Sequence, residues 1–245
     1  MSRTVIGILA GMGPRTTSPF LEAVLDRCRQ GYGATWDEDY PDIVIYSLPA
    51  PFRPDRPIDA AGMQAALKRG AAALARAGAH VVAVPCNVAH LYFPAICEGA
   101  GVEVLHIVEE TLKRLPATPA GATAVLATRA LAESRLYHDT LAQRGLVLVS
   151  NPALQDRIDA LILAFKAEGA SPATVAQWHA LESWLQGLGA TDAILACTDL
   201  AFCAAHQLEG GLQVFDSAAI LADATVAEFC CREGIAPHNT RLMPK

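Results

Sequence analysis

The sequence predicts an α/β protein of two similar domains, each a mostly parallel sheet flanked by helices. Three observations carry this. Short apolar runs alternate with longer, Ala-rich segments along the whole chain. The apolar runs lack strict polar alternation, the pattern of strands covered on both faces. The stretch Gly78–Asn87 (GAHVVAVPCN) also matches Gly189–Thr198 (GATDAILACT) without a gap, and each follows an amphipathic segment, the mark of an internal duplication.

In order, the expected strands are Thr4–Leu9, Ile43–Leu48, Val81–Val84, Val102–Ile107, Ala122–Leu126, Leu146–Ser150, Ala193–Leu195 and Gln213–Phe215. Between them fall expected helices at Thr17–Arg29, Ile58–Ala77, Ala89–Glu98, Val108–Arg114, Ala130–Arg144, Gln155–Ala167, Ala173–Gly187 and Ala218–Arg232. The pattern of Ile6–Ala10 returns at Thr123–Ala127, and the Pro-rich segment Leu115–Pro119 reads as the joint between the halves.

Composition narrows the function. Hydrophobic residues make up 52% of the 245-residue chain and charged residues 18%, which a disordered protein would not show. A net charge of −6 argues against a general nucleic-acid binder. Seven cysteines are too few for a disulfide scaffold at this length, so a reducing cytoplasm is expected. The longest uncharged stretch, Ala77–Cys97, contains two prolines, Asn87, His80 and His90, which argues against a membrane span. Val5–Leu9 after Arg3 reads as a buried first strand rather than a secretory leader.

The duplication frames two cysteines. Cys86 and Cys197 each end an apolar strand, followed by Asn87 or Thr198. Open parallel sheets bind ligands beyond the carboxyl ends of their strands. A helix starting after each cysteine would aim N–H groups at the sulfur and favour thiolate. Two halves facing each other about a pseudo-twofold would set one thiol on each side of a shared cleft. Opposed acid/base groups suit removal of a proton from one face of a carbon and delivery to the other. Cys28, Cys97, Cys203, Cys230 and Cys231 lack this framing and are expected to serve packing. Zinc is a rival reading of Cys86 with His90, but two ligands do not make a site. A dinucleotide loop is a rival for Gly11-x-Gly13, but the third glycine is missing and Pro14 follows. The preferred reading is a tight turn whose amides at Met12 and Gly13 approach a small acid.

These residues resemble a family. Ile6–Pro14 (IGILAGMGP) is similar to the GGMGP opening of the cofactor-independent aspartate/glutamate racemases. Pro85–His90 (PCNVAH) resembles their PCNTAH, and Ala196–Leu200 (ACTDL) their GCTE-L. Leu126–Arg129, with Ser134 and Tyr137, resembles their LLAT segment. The resemblance implies an active site between two α/β domains, racemisation of an acidic amino acid, aspartate foremost, and neither pyridoxal phosphate nor a metal. It implies that residues 1–115 with 215–245 form one domain and 116–214 the other. One cysteine would take the α-proton and the other reprotonate the opposite face, the order set by the substrate enantiomer. A cytoplasmic homodimer that binds neither nucleic acid nor membrane completes the expectation.

Further residues follow from the resemblance. Arg56, in Pro54–Arg56, resembles the PDR whose arginine clamps a side-chain carboxylate, with Arg53 as a rival; bidentate pairing gives the physical reason. Lys166 matches a family lysine, against a plain reading as a helix-end surface charge. Asn87 and Thr198 are expected to contact the α-carboxylate or ammonium, or else to cap the following helix. His90 is expected to be a structural hydrogen-bond partner rather than a base. Three departures bear on substrate. Val88 replaces a Thr and removes a hydroxyl, Asp199 replaces a Glu, and Leu221 stands where many relatives have His. Alternatives to aspartate are glutamate, broad-specificity or hydantoin racemisation, or a dicarboxylate-binding protein without turnover.

Overall fold

The structure is a computed structural model that describes residues 3–53, 57–117 and 120–236; Arg56 and the Thr118–Pro119 part of the expected joint lie outside them. The chain divides into two compact units, residues 1–113 with 218–245, and residues 114–217.

The first unit holds a four-stranded parallel sheet in the order β2-β1-β3-β4, from β1 (Val5–Ala10), β2 (Asp42–Ser47), β3 (Val81–Ala83) and β4 (Glu103–Leu105). Ile6, Ile8, Leu9, Val81 and Val82 are fully buried, as an apolar run in a covered parallel sheet requires. Helix α1 (Thr17–Tyr32) buries Phe20, Val24 and Cys28, and ends at Gly33, whose φ of 83° suits a residue without a Cβ. Helix α2 (Ala60–Arg76) is capped by Asp59, whose carboxylate accepts from Gly62 N at 3.0 Å. It buries Met63, Leu67 and Leu74 and packs on β1 and β2 and against α3 (Phe93–Ala100). Each such side chain stabilises the unit by about 1.5–3 kcal/mol. Helix α4 (Ile107–Arg114) follows β4.

The second unit holds a three-stranded parallel sheet, β5-β6-β7, from β5 (Ala122–Leu126), β6 (Ala190–Leu195) and β7 (Gln213–Asp216). Its helices are α5 (Arg129–Glu133), α6 (Leu136–Gln143), α7 (Leu154–Glu168), α8 (Pro172–Gly187) and the short α9 (Phe202–Ala205). Its core joins Leu126, Ala193 and Leu195 to Ile158 and Leu161 of α7 and Trp178 and Leu185 of α8. The chain returns to the first unit through α10 (Ser217–Glu233), where the Arg27–Asp223 and Arg232–Glu103 ion pairs tie it down.

Several expected elements differ. Leu146–Ser150 is not a strand. It makes one parallel bridge, Leu148 to Thr123, because Gly145 turns the chain just before it and Pro152 follows. That bridge lies beside β5 as β2 lies beside β1, so the two units share one strand order. The expected helix Ala89–Glu98 is a 3-10 turn, Val88–Tyr92, followed by α3. Pro94 sits in the first turn of α3, where its missing N–H costs nothing; within a longer helix its ring would strike the carbonyl four residues back. The expected helix Ala130–Arg144 breaks at Arg135, which takes a φ of 62°. No helix of the described residues is long and apolar enough to cross a membrane.

Candidate active site

Cys86 and Cys197 occupy equivalent places. Cys86 lies just beyond the carboxyl end of β3 and Cys197 just beyond that of β6, and each of these strands is flanked by a strand on both sides. Both are buried, at 9% and 8% exposure, so neither is a surface thiol. All seven cysteines are thiols rather than disulfides.

In the first unit, β1 and β3 run in register from Ile6↔Val81 to Ile8↔Ala83. The segments that follow them, Gly11–Gly13 and Pro85–Val88, therefore leave the sheet at the same edge. Gly11 has a φ of 92°, and a Cβ there would stand 2.5 Å from Leu48 N, so only glycine fits where the backbone of the next strand passes. Leu48 N donates to Ala10 O, and Gly11 N donates to Thr17 Oγ1, fixing this turn to α1. Met12 and Gly13 follow, half-buried. Asn87 and Val88 are buried beside Cys86, with Cys86 N donating to Val84 O.

His90 locks this loop. Its Nδ1 lies 2.9 Å from Cys86 O, and its Nε2 accepts from Ile107 N at 3.2 Å. A carbonyl partner makes Nδ1 the protonated nitrogen, so the ring is the neutral Nδ1–H tautomer. Burial pushes its pKa down to about 4. The ring stacks on Phe93, with His106 edge-on. Both nitrogens are engaged by the backbone, which leaves none to ligate a metal with Cys86. Among the described residues, no group of three or more His, Cys, Asp or Glu is gathered for a metal ion.

The expectation that a full helix begins after each cysteine is corrected. Cys86-Asn87 leads into the 3-10 turn Val88–Tyr92, and Cys197 into a 3-10 turn, Thr198–Leu200. Turns this short lack the aligned peptides of a helix macrodipole. Charge beside Cys197 comes from side chains instead. The Cys197 thiol donates to Asp199 Oδ2 at 3.8 Å, and Lys166 Nζ lies 2.5 Å from the same oxygen. Phe165, next to Lys166, stacks on Phe202 with ring centroids 4.9 Å apart and planes 7° from parallel. This ring pair holds the end of α7 against the segment after Cys197. Thr198 is buried in the same turn.

One further residue stands at this edge. Leu126 of β5 pairs with Leu195 of β6, so Thr128 follows β5 as Cys197 follows β6. Thr128 Oγ1 is buried and makes no hydrogen bond among the described residues, and it does not cap α5. A buried hydroxyl without a partner costs about 1–3 kcal/mol, which a bound polar ligand would relieve.

The structure thus gathers Met12, Gly13, Cys86, Asn87 and Val88 at one sheet edge, and Cys197, Thr198 and Lys166 at another. Arg56 is outside the described residues, and Arg53 is exposed on the same loop. The sequence singles out Asp199 only as a departure from the family motif, and Thr128 only as part of the matched segment. For Asp199 the available signal was a carboxylate two residues after a thiol. For Thr128 it was a threonine just past a strand in the matched motif. Of the five cysteines assigned to packing, burial raises the thiol pKa of Cys28, Cys97 and Cys203 and pushes Cys230 up to about 11, whereas Cys231 is exposed and does not serve the core.

Comparison with known proteins agrees with this layout. The family model described as Asp/Glu/Hydantoin racemase matches residues 9–225. The chain is 40% identical over 225 residues to the broad specificity amino-acid racemase RacX of Bacillus subtilis, covering 92% of this chain and 98% of that one. Picrophilus torridus aspartate racemase shares the fold with a TM-score of 0.75 at 20% identity, covering 98% of this chain and 97% of that one. Francisella tularensis glutamate racemase, solved with D-glutamate, gives 0.68 at 14% identity, covering 97% and 84%.

Proposed function

The chain belongs to the Asp/Glu/hydantoin racemase family, and we propose that it inverts the α-carbon of free amino acids without a cofactor, using Cys86 and Cys197. The observation that carries this reading is the equivalent placement of two buried thiols beyond the central strands of two duplicated units. Mere binding of an amino acid needs no such pair.

The chemistry balances without a redox partner. One cysteine, as thiolate, takes the α-proton and becomes a thiol. The electron pair left on Cα spreads into the α-carboxylate. The other cysteine, as thiol, gives its proton to the opposite face of Cα and becomes a thiolate. The two therefore exchange protonation states in each turnover, and the enantiomer bound decides which acts first. Within each unit, the candidate contacts for an α-carboxylate are the groups that accompany its thiol: Asn87 with the Met12–Gly13 turn beside Cys86, and Thr198 with the Thr128 hydroxyl beside Cys197. These groups stabilise the charge that develops there.

For the substrate we propose a broad range of side chains, aspartate among them. Support comes from Lys166, whose charge is taken up by Asp199, and from Val88, which offers no hydroxyl. The relative RacX is named for broad specificity. A second reading, selectivity for aspartate, is favoured by the closeness of Lys166 to the Cys197 turn and by the resemblance of Arg56 to a carboxylate clamp. The resemblance also carries a cytoplasmic homodimer; static light scattering checks the dimer.

The test follows proton exchange at Cα in D₂O across the common amino acids, with chiral chromatography for inversion. Wild type is expected to exchange and invert. Cys86→Ser and Cys197→Ser are each expected to lose inversion by at least about a hundredfold, since one acid/base group contributes roughly 10²–10⁴. Near wild-type inversion by either variant overturns the two-thiol mechanism. Dominance of aspartate over alanine by orders of magnitude favours the second reading.

A further inference from the structure

We propose that Asp199 determines side-chain selectivity: by holding the Lys166 ammonium, it takes up that cation beside Cys197, so an acidic side chain does not gain Lys166 as a partner. This rests on the racemase reading of the same site.

The geometry is direct. Lys166 Nζ and the Cys197 thiol meet on one carboxylate oxygen, Asp199 Oδ2. The pair is partly buried, the Lys166 side chain 37% exposed and that of Asp199 11%. Solvent therefore reaches the lysine end of the pair, while the carboxylate end is shielded. An acidic side chain seeking Lys166 must displace Asp199 and leave that carboxylate uncompensated against the thiol, which is costly away from water. An uncharged side chain displaces nothing. The stack of Phe165 on Phe202 holds the end of α7 that carries Lys166 against the segment after Asp199.

The experiment compares kcat/KM for aspartate, alanine and lysine as substrates in wild type, Asp199→Asn, Lys166→Gln and the double variant. Using ratios between substrates cancels any common loss from disturbing the thiol. Asp199→Asn frees the cation and is expected to raise the aspartate-to-alanine ratio about tenfold or more, the worth of one charge-assisted hydrogen bond. Lys166→Gln bares the carboxylate and is expected to raise the lysine-to-alanine ratio by a similar factor. The double variant is expected to return both ratios to within about threefold of wild type. An aspartate-to-alanine ratio unchanged in Asp199→Asn overturns the proposal. So does a Lys166→Gln enzyme that loses aspartate selectively and gains nothing for lysine, because Lys166 would then already serve the substrate. If Asp199→Asn does not fold, as judged by its melt, the Lys166→Gln arm decides alone. Dissociation constants for the same amino acids, by calorimetry, give the ratios independently of turnover. Absence of Cα exchange in wild type then counts against the racemase mechanism, while the binding ratios still judge Asp199.

Discussion

Replacing His90 by Asn separates two contributions that one side chain makes to the Cys86 loop. The imidazole donates from Nδ1 to Cys86 O and accepts at Nε2 from Ile107 N, and it is buried with 3% exposure. Asn reproduces the donor near Nδ1 but leaves Ile107 N–H without its acceptor. An orphaned buried donor costs about 1–3 kcal/mol, so the variant is expected to be less stable by that amount at pH 8. The second contribution depends on pH. In the unfolded chain the ring titrates near 6.5, whereas in the native state burial holds it down to about 4. Between those values the unfolded state binds a proton that the native state refuses. Stability is thus unaffected by this group above pH 6.5 and falls as pH drops from about 6.5 to about 4, by roughly 3 kcal/mol in wild type. Asn has no such titration. The stability gap between the two proteins is therefore expected to shrink below pH 6.5 and to close or reverse near pH 4. Urea melts of both proteins at pH 8, 6.5, 5 and 4 measure it. A gap that stays constant or widens on acidification would refute the assignment of His90 as a neutral, backbone-locked ring.

Three further outcomes are expected. Thr128→Val keeps the shape but removes the unpartnered hydroxyl. It should leave the melting temperature unchanged or higher while lowering kcat/KM for every amino acid by about tenfold, measured by chiral chromatography. Val88→Thr restores a hydroxyl beside Cys86 at a buried position; lower KM across substrates would mark it as an α-carboxylate contact, and an unchanged KM would exclude that role. Glu182→Gln should destabilise the second unit by about 1–3 kcal/mol at neutral pH. The fully buried carboxylate accepts from both Leu208 N and Leu212 N, and an amide can present an acceptor to only one of them; urea melts read the loss.

Much of this protein was legible in one dimension. The α/β alternation follows from apolar runs too continuous for half-exposed strands, and the duplication from the paired segments ending in Cys86 and Cys197. Those are local patterns that backbone hydrogen bonding and burial translate directly into strands and helices. The elements that differ did so where one residue outweighed a pattern. Pro94 starts a new helix at Phe93 and leaves a 3-10 turn behind Cys86. Gly145 and Pro152 confine an apolar stretch to a single bridge at Leu148. Only the tertiary structure could decide the charge beside Cys197, because Lys166 and Asp199 lie on different elements and meet only once α7 packs against the turn after β6. The same holds for His90: its pattern with Cys86 is local, but its tautomer and low pKa depend on Ile107 N and on burial beneath Phe93 and His106. The chain supplies the groups; packing decides which of them are charged, which are satisfied, and which, like the Thr128 hydroxyl, find no partner among the described residues.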